Sequence, residues 1–170
     1  MRAKSQKKKY QEWTVCLDDT PLGPLHLSFT AKGLAALDFA DKGGEIAPVS
    51  PPPPEMRPMI DAVKRQLRQY FADGAADFTG LPLDLQGTSF QKKVWGELPR
   101  IPQGQTISYR ELAERVGTAR GFRAVGQANR RNPVPIIIPC HRVIAADGSL
   151  KGTSPGIGRR AWLLRHEAAR

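Results

Sequence analysis

Three short runs near the start of the chain alternate between hydrophobic and polar residues, a period typical of half-buried β-strands. They cover residues 10–17, 25–29 and 34–39, and turn-forming residues separate them. The pattern predicts a small antiparallel sheet joined by hairpin turns. Cys16 belongs to the first run, where we expect it to be a core residue.

A single amphipathic helix is predicted next. Apolar residues recur at intervals of three and four from Ile60 to Phe71, and Gly74 is a natural end. Four consecutive prolines at positions 51–54 exclude a helix or a central strand just before it. This half of the chain is therefore a small α+β unit without an obvious chemical signal.

Further helices are predicted in the second half of the chain. Thr88 and Ser108 each begin a capping box, in which the cap residue and the side chain three positions later satisfy the first backbone amides. Gly117 suits the position just after the second of these helices, and residues 121–131 form the next one. Two short helices joined by a glycine-containing turn are typical of a helix-turn-helix.

The helix over residues 121–131 has a candidate binding face. Three polar side chains share it at helical spacing: Arg123, Gln127 and Arg130. Phe122 and Val125 should point towards a core, whereas Ala124 and Ala128 keep part of the outer surface shallow. A basic face that only contacts solvent is the alternative interpretation.

The clearest chemical signal is the pair Cys140-His141, which follows the apolar run 136–138. A thiolate is the reactive form of cysteine, and a neighbouring base makes it accessible. We expect the run to be a buried, strand-like segment that ends at the thiol. A structural zinc site needs four ligands, and Cys16 is the only other cysteine. A papain-like protease has its histidine far from the nucleophile in sequence, so this class is also disfavoured.

The segments around the cysteine are expected to be turns and a final helix. Residues 132–135 contain two prolines and should break the preceding helix. Residues 146–149 contain Asp-Gly, a strong turn signal. Glycines and a proline make residues 151–158 a loop, and apolar spacing predicts a helix over residues 159–168.

Charge distinguishes the two halves. The 170 residues carry a net charge of +10, all of it in residues 88–170, which hold 15 basic and 5 acidic side chains. A basic half that also carries a reactive cysteine suggests a polyanionic partner, most simply nucleic acid; a merely soluble cationic surface is the alternative.

Two cysteines and no long apolar run favour a soluble, cytoplasmic protein without a membrane partner.

These patterns together predict an α+β protein. A basic arm over residues 1–9 precedes an N-terminal α+β domain at 10–80, and residues 75–87 resemble a linker. Residues 87–170 form a mainly helical domain that holds both the helix-turn-helix and the cysteine.

Residues 87–167 closely resemble the O6-alkylguanine-DNA alkyltransferases, also called methylated-DNA–protein-cysteine methyltransferases. The matching stretches keep the family's order and spacing: Gly87-Thr88-Ser89-Phe90-Gln91, Val94-Trp95, Ile101-Pro102, Ser108-Tyr109, Arg123-Ala124-Val125-Gly126, Asn132-Pro133, Ile138-Pro139-Cys140-His141-Arg142-Val143, Asp147-Gly148 and Leu163-Leu164-Arg165-His166-Glu167. The Pro-Cys-His-Arg-Val core is the most specific of them.

The resemblance implies a chemistry. The family moves an alkyl group from O6 of a damaged guanine in double-stranded DNA to the motif cysteine, here Cys140. The product is a stable thioether, so each molecule reacts once. No metal or redox cofactor is implied, and we expect a monomer.

The resemblance also implies how the thiol is activated. Glu167 would orient the His141 ring, and a bridging water would carry the proton from Cys140. Asn132 matches the family's hinge asparagine, which braces the turn before the cysteine.

Reaching O6 requires the base to leave the duplex, and the resemblance assigns residues to this step. Arg123 matches the arginine finger that occupies the vacated space, and Tyr109 matches the tyrosine that rotates the nucleotide and donates towards the purine. Ala124, Gln127 and Arg130 would complete the DNA contact. The guanine pocket would be lined by the backbone at Cys140, Val143 and Ser154, and by Pro135.

Three positions depart from the family pattern. Phe122 replaces a small residue before the finger, and Thr153 and Pro155 replace a common tyrosine and glycine in the loop over the pocket. Phe122 bears on how its helix is positioned. Thr153 and Pro155 bear on the range of substrates that the pocket accepts.

Three other functions remain open at the level of sequence. A non-catalytic alkyl-lesion binder would lack the acceptor cysteine. A basic thiol hydrolase would turn over repeatedly and ignore DNA. A helix-turn-helix transcription factor would need sequence-specific base contacts and no reactive thiol.

Overall fold

The computed structural model of the protein describes residues 12–40, 50–151 and 154–168. The predicted basic arm and Thr153 lie outside these residues. Within them the predicted α+β fold is confirmed, with a small antiparallel sheet followed by a mainly helical part.

Three strands form the predicted sheet, in the order of the sequence: β1 (Trp13–Leu17), β2 (Leu25–Thr30) and β3 (Gly33–Phe39). Both pairs are antiparallel, and the register places apolar residues opposite one another on one face. Because alternate side chains point to opposite faces, this face is buried in the core while the other carries polar residues.

The prediction that Cys16 is a core residue was wrong. Cys16 pairs with His26 on the polar face of the sheet and is half-buried. Its Sγ donates a hydrogen bond to Asp18 Oδ1 at 2.8 Å. Burial and this neighbouring carboxylate raise the pKa of Cys16 to about 11, so the thiol is a poor nucleophile at neutral pH.

The first long helix, α1 (Arg57–Asp73), matches the predicted periodicity. Its core face is apolar and consists of Ile60, Val63, Leu67, Tyr70 and Phe71. Gly74 ends the helix in the left-handed conformation, with φ of 69°, and its N–H donates to Tyr70 O at 2.7 Å. Glycine is the residue that adopts this conformation without strain.

Residues 75–87, predicted to be a linker, dock against the edge of β3. Leu34 N donates to Pro82 O and Asp84 N donates to Leu34 O, both at 2.9 Å. A Cβ atom on Gly33 would lie 2.4 Å from Pro82 O, so this approach requires glycine. The segment therefore ties the sheet to the second half of the chain.

Three helices follow: α2 (Ser89–Glu97), α3 (Tyr109–Arg115) and α4 (Phe122–Arg130). Both predicted capping boxes are present with their reciprocal hydrogen bonds. Gly117 ends α3 with φ of 76°, and a Cβ on Gly121 would lie 2.3 Å from Thr118 Oγ1. These two glycines allow the tight turn of the predicted helix-turn-helix, α3–α4.

Two predictions about the faces of α4 were wrong. Phe122 is 45% exposed, because its ring turns towards the groove beside Gly126 and away from the core that Val125 contacts. Ala128, predicted on the outer surface, is buried and accepts a 2.8 Å hydrogen bond at its carbonyl from Trp95 Nε1 on α2. The tight α2–α4 contact therefore uses the small side chain that sequence reasoning assigned to a groove.

The strand predicted before the cysteine is instead a buried turn. Ile138 N donates to Val134 O, and Ile136 adopts a left-handed φ of 76°. Prolines at positions 133, 135 and 139 lack the N–H groups that a strand ladder needs, which explains the failure of the apolar run as a strand signal. A left-handed conformation strains a β-branched residue by about 1–3 kcal/mol, which the surrounding contacts must offset.

Two elements complete the fold. The two-residue strands β4 (Ile107–Ser108) and β5 (Val143–Ile144) pair in parallel. The last helix, α5 (Ser154–Ala168), begins five residues earlier than the predicted start at Arg159. Pro155 stands in its first turn, where a missing N–H breaks no hydrogen bond of the helix.

α1 and α5 bring the two halves together. The Phe71 and Trp162 rings lie 5.9 Å apart between centroids, and His166 Nε2 is 2.6 Å from Tyr70 O. In the described part of the chain, no helix is both long and apolar enough to cross a membrane.

Candidate active site and DNA-binding face

Cys140 begins a single helical turn, Cys140–Arg142, directly after the buried turn. Its amide donates to Ile138 O at 2.8 Å, and its carbonyl accepts from Asn129 Nδ2 at 3.2 Å. Asn132 holds the turn from inside, because its Nδ2 donates to Ile138 O at 2.7 Å and its Oδ1 accepts from Val134 N at 3.0 Å. Cys140 is thus held by side chains from α4 and from the loop that follows it.

His141 is completely buried beside a carboxylate. Its Nε2 lies 2.7 Å from Glu167 Oε1 on α5, and the two residues are 1% and 2% exposed. Arg142 approaches the same carboxylate with two nitrogens, Nε to Oε2 at 2.9 Å and Nη2 to Oε1 at 3.0 Å. Its remaining Nη1 donates to Ile101 O at 2.7 Å.

The charge states of this cluster follow from its contacts. Burial alone would raise the pKa of Glu167, but the hydrogen bonds from His141 and Arg142 hold it well below its usual range. Burial lowers the pKa of His141 in spite of the carboxylate, so the ring is neutral at physiological pH. An ionised carboxylate only accepts, so Nε2 carries the proton of the neutral ring.

This tautomer leaves Nδ1 of His141 as the basic nitrogen. Nδ1 is buried and has no hydrogen-bond partner among the described residues. Glu167 therefore orients the ring and fixes its tautomer, while Nδ1 is able to accept a proton from a neighbouring group.

Sequence reasoning missed Tyr70 as a member of this cluster. Its hydroxyl donates to Glu167 Oε1 at 2.8 Å from a ring that is 1% exposed. Burial and the neighbouring carboxylate raise the pKa of Tyr70, so it stays a neutral donor. Its apolar periodicity on α1 indicated only a core position; the one available signal was that a buried tyrosine hydroxyl needs a partner.

The substitution Tyr70→Phe should slow the reaction of the Cys140 thiol without abolishing it. The variant loses one hydrogen bond to a charged acceptor, which contributes about 1.5–3 kcal/mol to the free energy of unfolding. We expect the rate at which the Cys140 thiol reacts to fall roughly tenfold, equivalent to about 1.4 kcal/mol. Val63→Ala, a core change on the same helix, is the matched control: it should lower stability and leave the rate unchanged. Equal rates for Tyr70→Phe and the wild type would exclude a role for the hydroxyl.

Asn129, Arg142 and Arg160 were also missed as site residues. Arg160 on α5 donates to the carbonyls of Lys151 and Val143, on either side of the predicted Asp-Gly turn. Arg142 was noted only as part of the cysteine motif. Their partners are backbone carbonyls or residues distant in sequence, which no local pattern specifies.

The candidate DNA face lies on α4. Arg123, Ala124, Gln127 and Arg130 are all exposed there. A surface groove of about 360 Å³ is lined by Tyr109, Phe122, Arg123, Gly126, Gln127, Arg130 and Lys151. We call it the α4 groove.

The β4–β5 ladder connects this groove to the cysteine. Ser108 pairs with Ile144, only four residues after Cys140, and Tyr109 follows Ser108 at the start of α3. The Tyr109 ring lies over Gly126, where a Cβ would be 3.6 Å from Tyr109 Cδ1. Tyr109 therefore stands at the groove, on an element anchored to the cysteine motif.

The structure describes the side chains of only some of the residues predicted to line the guanine pocket. Val143 is fully buried, and Pro135 is half-buried. Ser154 is the first residue of α5, and its side chain is outside the described part of the structure, as is that of Pro155. In the residues described, no group of three or more His, Cys, Asp and Glu side chains could hold a metal ion.

The fold and the site define a class: a helix-turn-helix protein with a cysteine beside a buried, carboxylate-oriented histidine. Comparison with known families is specific. Residues 13–85 match the family model described as "6-O-methylguanine DNA methyltransferase, ribonuclease-like domain", and residues 89–169 match its DNA binding domain. The chain therefore belongs to the methylated-DNA–protein-cysteine methyltransferase family.

Individual relatives agree over nearly the whole chain. The methylated-DNA–protein-cysteine methyltransferase of Methanosarcina barkeri is 43% identical over 88% of this chain and 93% of its own. That of Mycobacterium leprae is 46% identical over 88% of each chain. The crystal structure of Mycobacterium tuberculosis O6-methylguanine methyltransferase superposes with a TM-score of 0.80 at 39% identity, covering 94% of both chains. The same protein in complex with DNA gives a TM-score of 0.74 over 91% of both.

Proposed function

We propose that this protein repairs O6-alkylguanine in double-stranded DNA by moving the alkyl group to Cys140 Sγ. One observation carries the proposal: the adjacent His141 is buried against ionised Glu167, which leaves Nδ1 unprotonated and able to accept a proton. A helix-turn-helix transcription factor would have no use for such a pair beside a thiol. A non-catalytic lesion binder would not need the acceptor cysteine, which is present.

The proposed reaction is an in-line displacement at the alkyl carbon. The thiol proton passes to His141 Nδ1 through the water that the family resemblance implies, and Sγ forms a bond to carbon as the bond to O6 breaks. Guanine leaves with negative charge, which a hydrogen bond from Tyr109 offsets until the purine takes up a proton from water, and His141 returns the thiol proton to solvent. The thioether is inert to water, so the protein is consumed in one turnover.

DNA engagement is proposed to use the α4 groove. Phosphates would contact Gln127 and Arg130, and the shallow Ala124 would let the backbone approach closely. Arg123 would enter the duplex and fill the space of the flipped nucleotide. The likeness to the relative solved with DNA supports DNA as the partner, as does the charge of residues 88–170. The cytoplasmic location predicted from the sequence is part of the same proposal.

The DNA product tests the function. A duplex in which O6-methylguanine blocks a restriction site should become cleavable after incubation with this protein alone, because the base is restored to guanine. An abasic site at the lesion would indicate a glycosylase, and an unchanged lesion with tight binding would favour the non-catalytic binder. A thiol hydrolase would leave the DNA unchanged and process its substrate repeatedly.

Arg123→Ala should separate extrusion from chemistry. We expect it to slow reaction with lesion duplex far more than reaction with free O6-alkylguanine base, which needs no flipping. Unstacking costs a few kcal/mol, so a loss of roughly 100-fold on duplex is expected. The measurement is the ratio of duplex to free-base rates in single-turnover assays.

Arg130→Ala is the matched control for Arg123→Ala. Both residues are exposed arginines on α4, but Arg130 is proposed to contact only phosphate. Its loss should weaken duplex binding and reduce the slope of log affinity against log salt by about 0.9. Equal losses on duplex and free base for Arg123→Ala would show that Arg123 supports the pocket and does not act in flipping.

A further inference from the structure

The Phe122 side chain is exposed to solvent in the α4 groove. Of the residues that the structure describes, it is the one large hydrophobic side chain classed as exposed, at 45%. Single exposed apolar side chains are ordinary, so the surroundings of this one decide whether it has a role. Nothing in the core requires the ring, because Val125 and Ala128 supply the buried face of α4.

The residues around the Phe122 ring favour DNA as the ligand of the α4 groove. The α4 groove contains three cations among its described lining residues, Arg123, Arg130 and Lys151, and no acid. The cations alone would bind phosphates. The aromatic ring therefore provides an apolar contact that phosphate binding does not explain. Duplex DNA offers both chemistries: charged phosphates outside and apolar base faces within the stack.

The position of Phe122 in the fold determines which part of the DNA it can reach. It is the first residue of α4, and helical side chains lean towards the N-terminus of their helix. In helix-turn-helix proteins, the N-terminal residues of the second helix are those that approach the bases. Gly126 stands one turn further on and lines the same groove, with the Tyr109 ring over it.

We propose that Phe122 is an apolar wedge that packs into the base stack beside the extruded nucleotide and keeps the gap open. Arg123 would fill the vacated position, while the neighbouring ring would cover the exposed face of the adjacent base. This inference rests on the proposed function and adds a positioning residue to it. Phe122 would act on the extruded state of the DNA and not on the thiol.

The test compares Phe122→Ala and Phe122→Trp with the wild type on three substrates. These are duplex with paired O6-methylguanine, duplex with the lesion opposite an abasic site, and free O6-methylguanine base. At saturating DNA, Phe122→Ala should slow the paired duplex by roughly 5- to 150-fold, the range of one base–aromatic stacking contact. The loss should shrink opposite the abasic site, where the lesion has no pairing partner and extrusion costs less, and vanish for the free base. Phe122→Trp retains a stacking ring and should stay near the wild-type rate.

Three results would overturn the wedge. In the first, Phe122→Ala reacts with paired duplex at the wild-type rate. In the second, its reaction rate falls equally on duplex and on free base. In the third, it changes only the slope of log DNA affinity against log salt. The second would place the ring in the pocket, and the third would make it a surface residue near phosphates. Wild-type transfer to DNA is measured in the same series, so failure of the proposed function is distinguished from failure of the wedge.

Discussion

A protein carrying Cys140→Ala should transfer no alkyl group at any time or concentration, yet should still bind lesion-containing duplex. The substitution removes the proposed acceptor atom, while the α4 groove and its cations are unchanged. The loss is complete and cannot be recovered by longer incubation. Binding is measured by titration of labelled duplex and transfer by incubation with labelled alkyl DNA.

Cys16→Ala is the control for this result. Cys16 lies on the polar face of the sheet, hydrogen-bonded to Asp18, with a raised pKa. Its removal should leave transfer at the wild-type rate and extent. Residual transfer in Cys140→Ala that disappears when Cys16 is also replaced would contradict the assignment of the acceptor.

Glu167→Gln should give the second-largest loss. General acid–base groups contribute about 100- to 10,000-fold to rate, and an amide neither fixes the His141 tautomer nor balances Arg142. Removing one partner of a buried ion pair also costs about 3–5 kcal/mol of unfolding free energy. We expect single-turnover transfer to fall by about 100-fold or more, with only a small change in DNA affinity.

Two controls separate this chemical effect from a loss of folding. Glu97→Gln removes the carboxylate of a surface pair with Arg100, where an ion pair contributes about 0–1 kcal/mol, so it should behave as the wild type. Circular dichroism at the assay temperature establishes that Glu167→Gln is folded. The pKa of Glu167 lies below its usual range, so the carboxylate is ionised throughout about pH 6–8 and the rate ratio should be constant there. A folded Glu167→Gln with the wild-type rate would exclude the relay.

Local signals in the sequence predicted much of this fold. Both capping boxes, the end of α1 at Gly74 and the turn before α4 depend on contacts within a few residues, and each is where its pattern placed it. The family resemblance likewise paired His141 with Glu167, and Nε2 and Oε1 of these residues lie 2.7 Å apart.

The failures concern contacts that no short window contains. Tyr70 reaches Glu167 across 97 positions of sequence, and helical periodicity could only place it in a core. Phe122 follows the same periodicity as a core residue, but the first residue of a helix is free to turn its ring into a groove. The buried run before Cys140 was apolar enough for a strand, and only the missing amides of its flanking prolines distinguish it from one.

The most direct test of the central claim is the intact mass of the protein after reaction with excess O6-methylguanine duplex, followed by peptide mapping. The account predicts that every active molecule gains one methyl group in place of one hydrogen, that the group maps to Cys140, and that restored guanine never exceeds one equivalent per protein. Restoration of several guanines per molecule, or a methyl group mapped to Cys16 or any other residue, would contradict it.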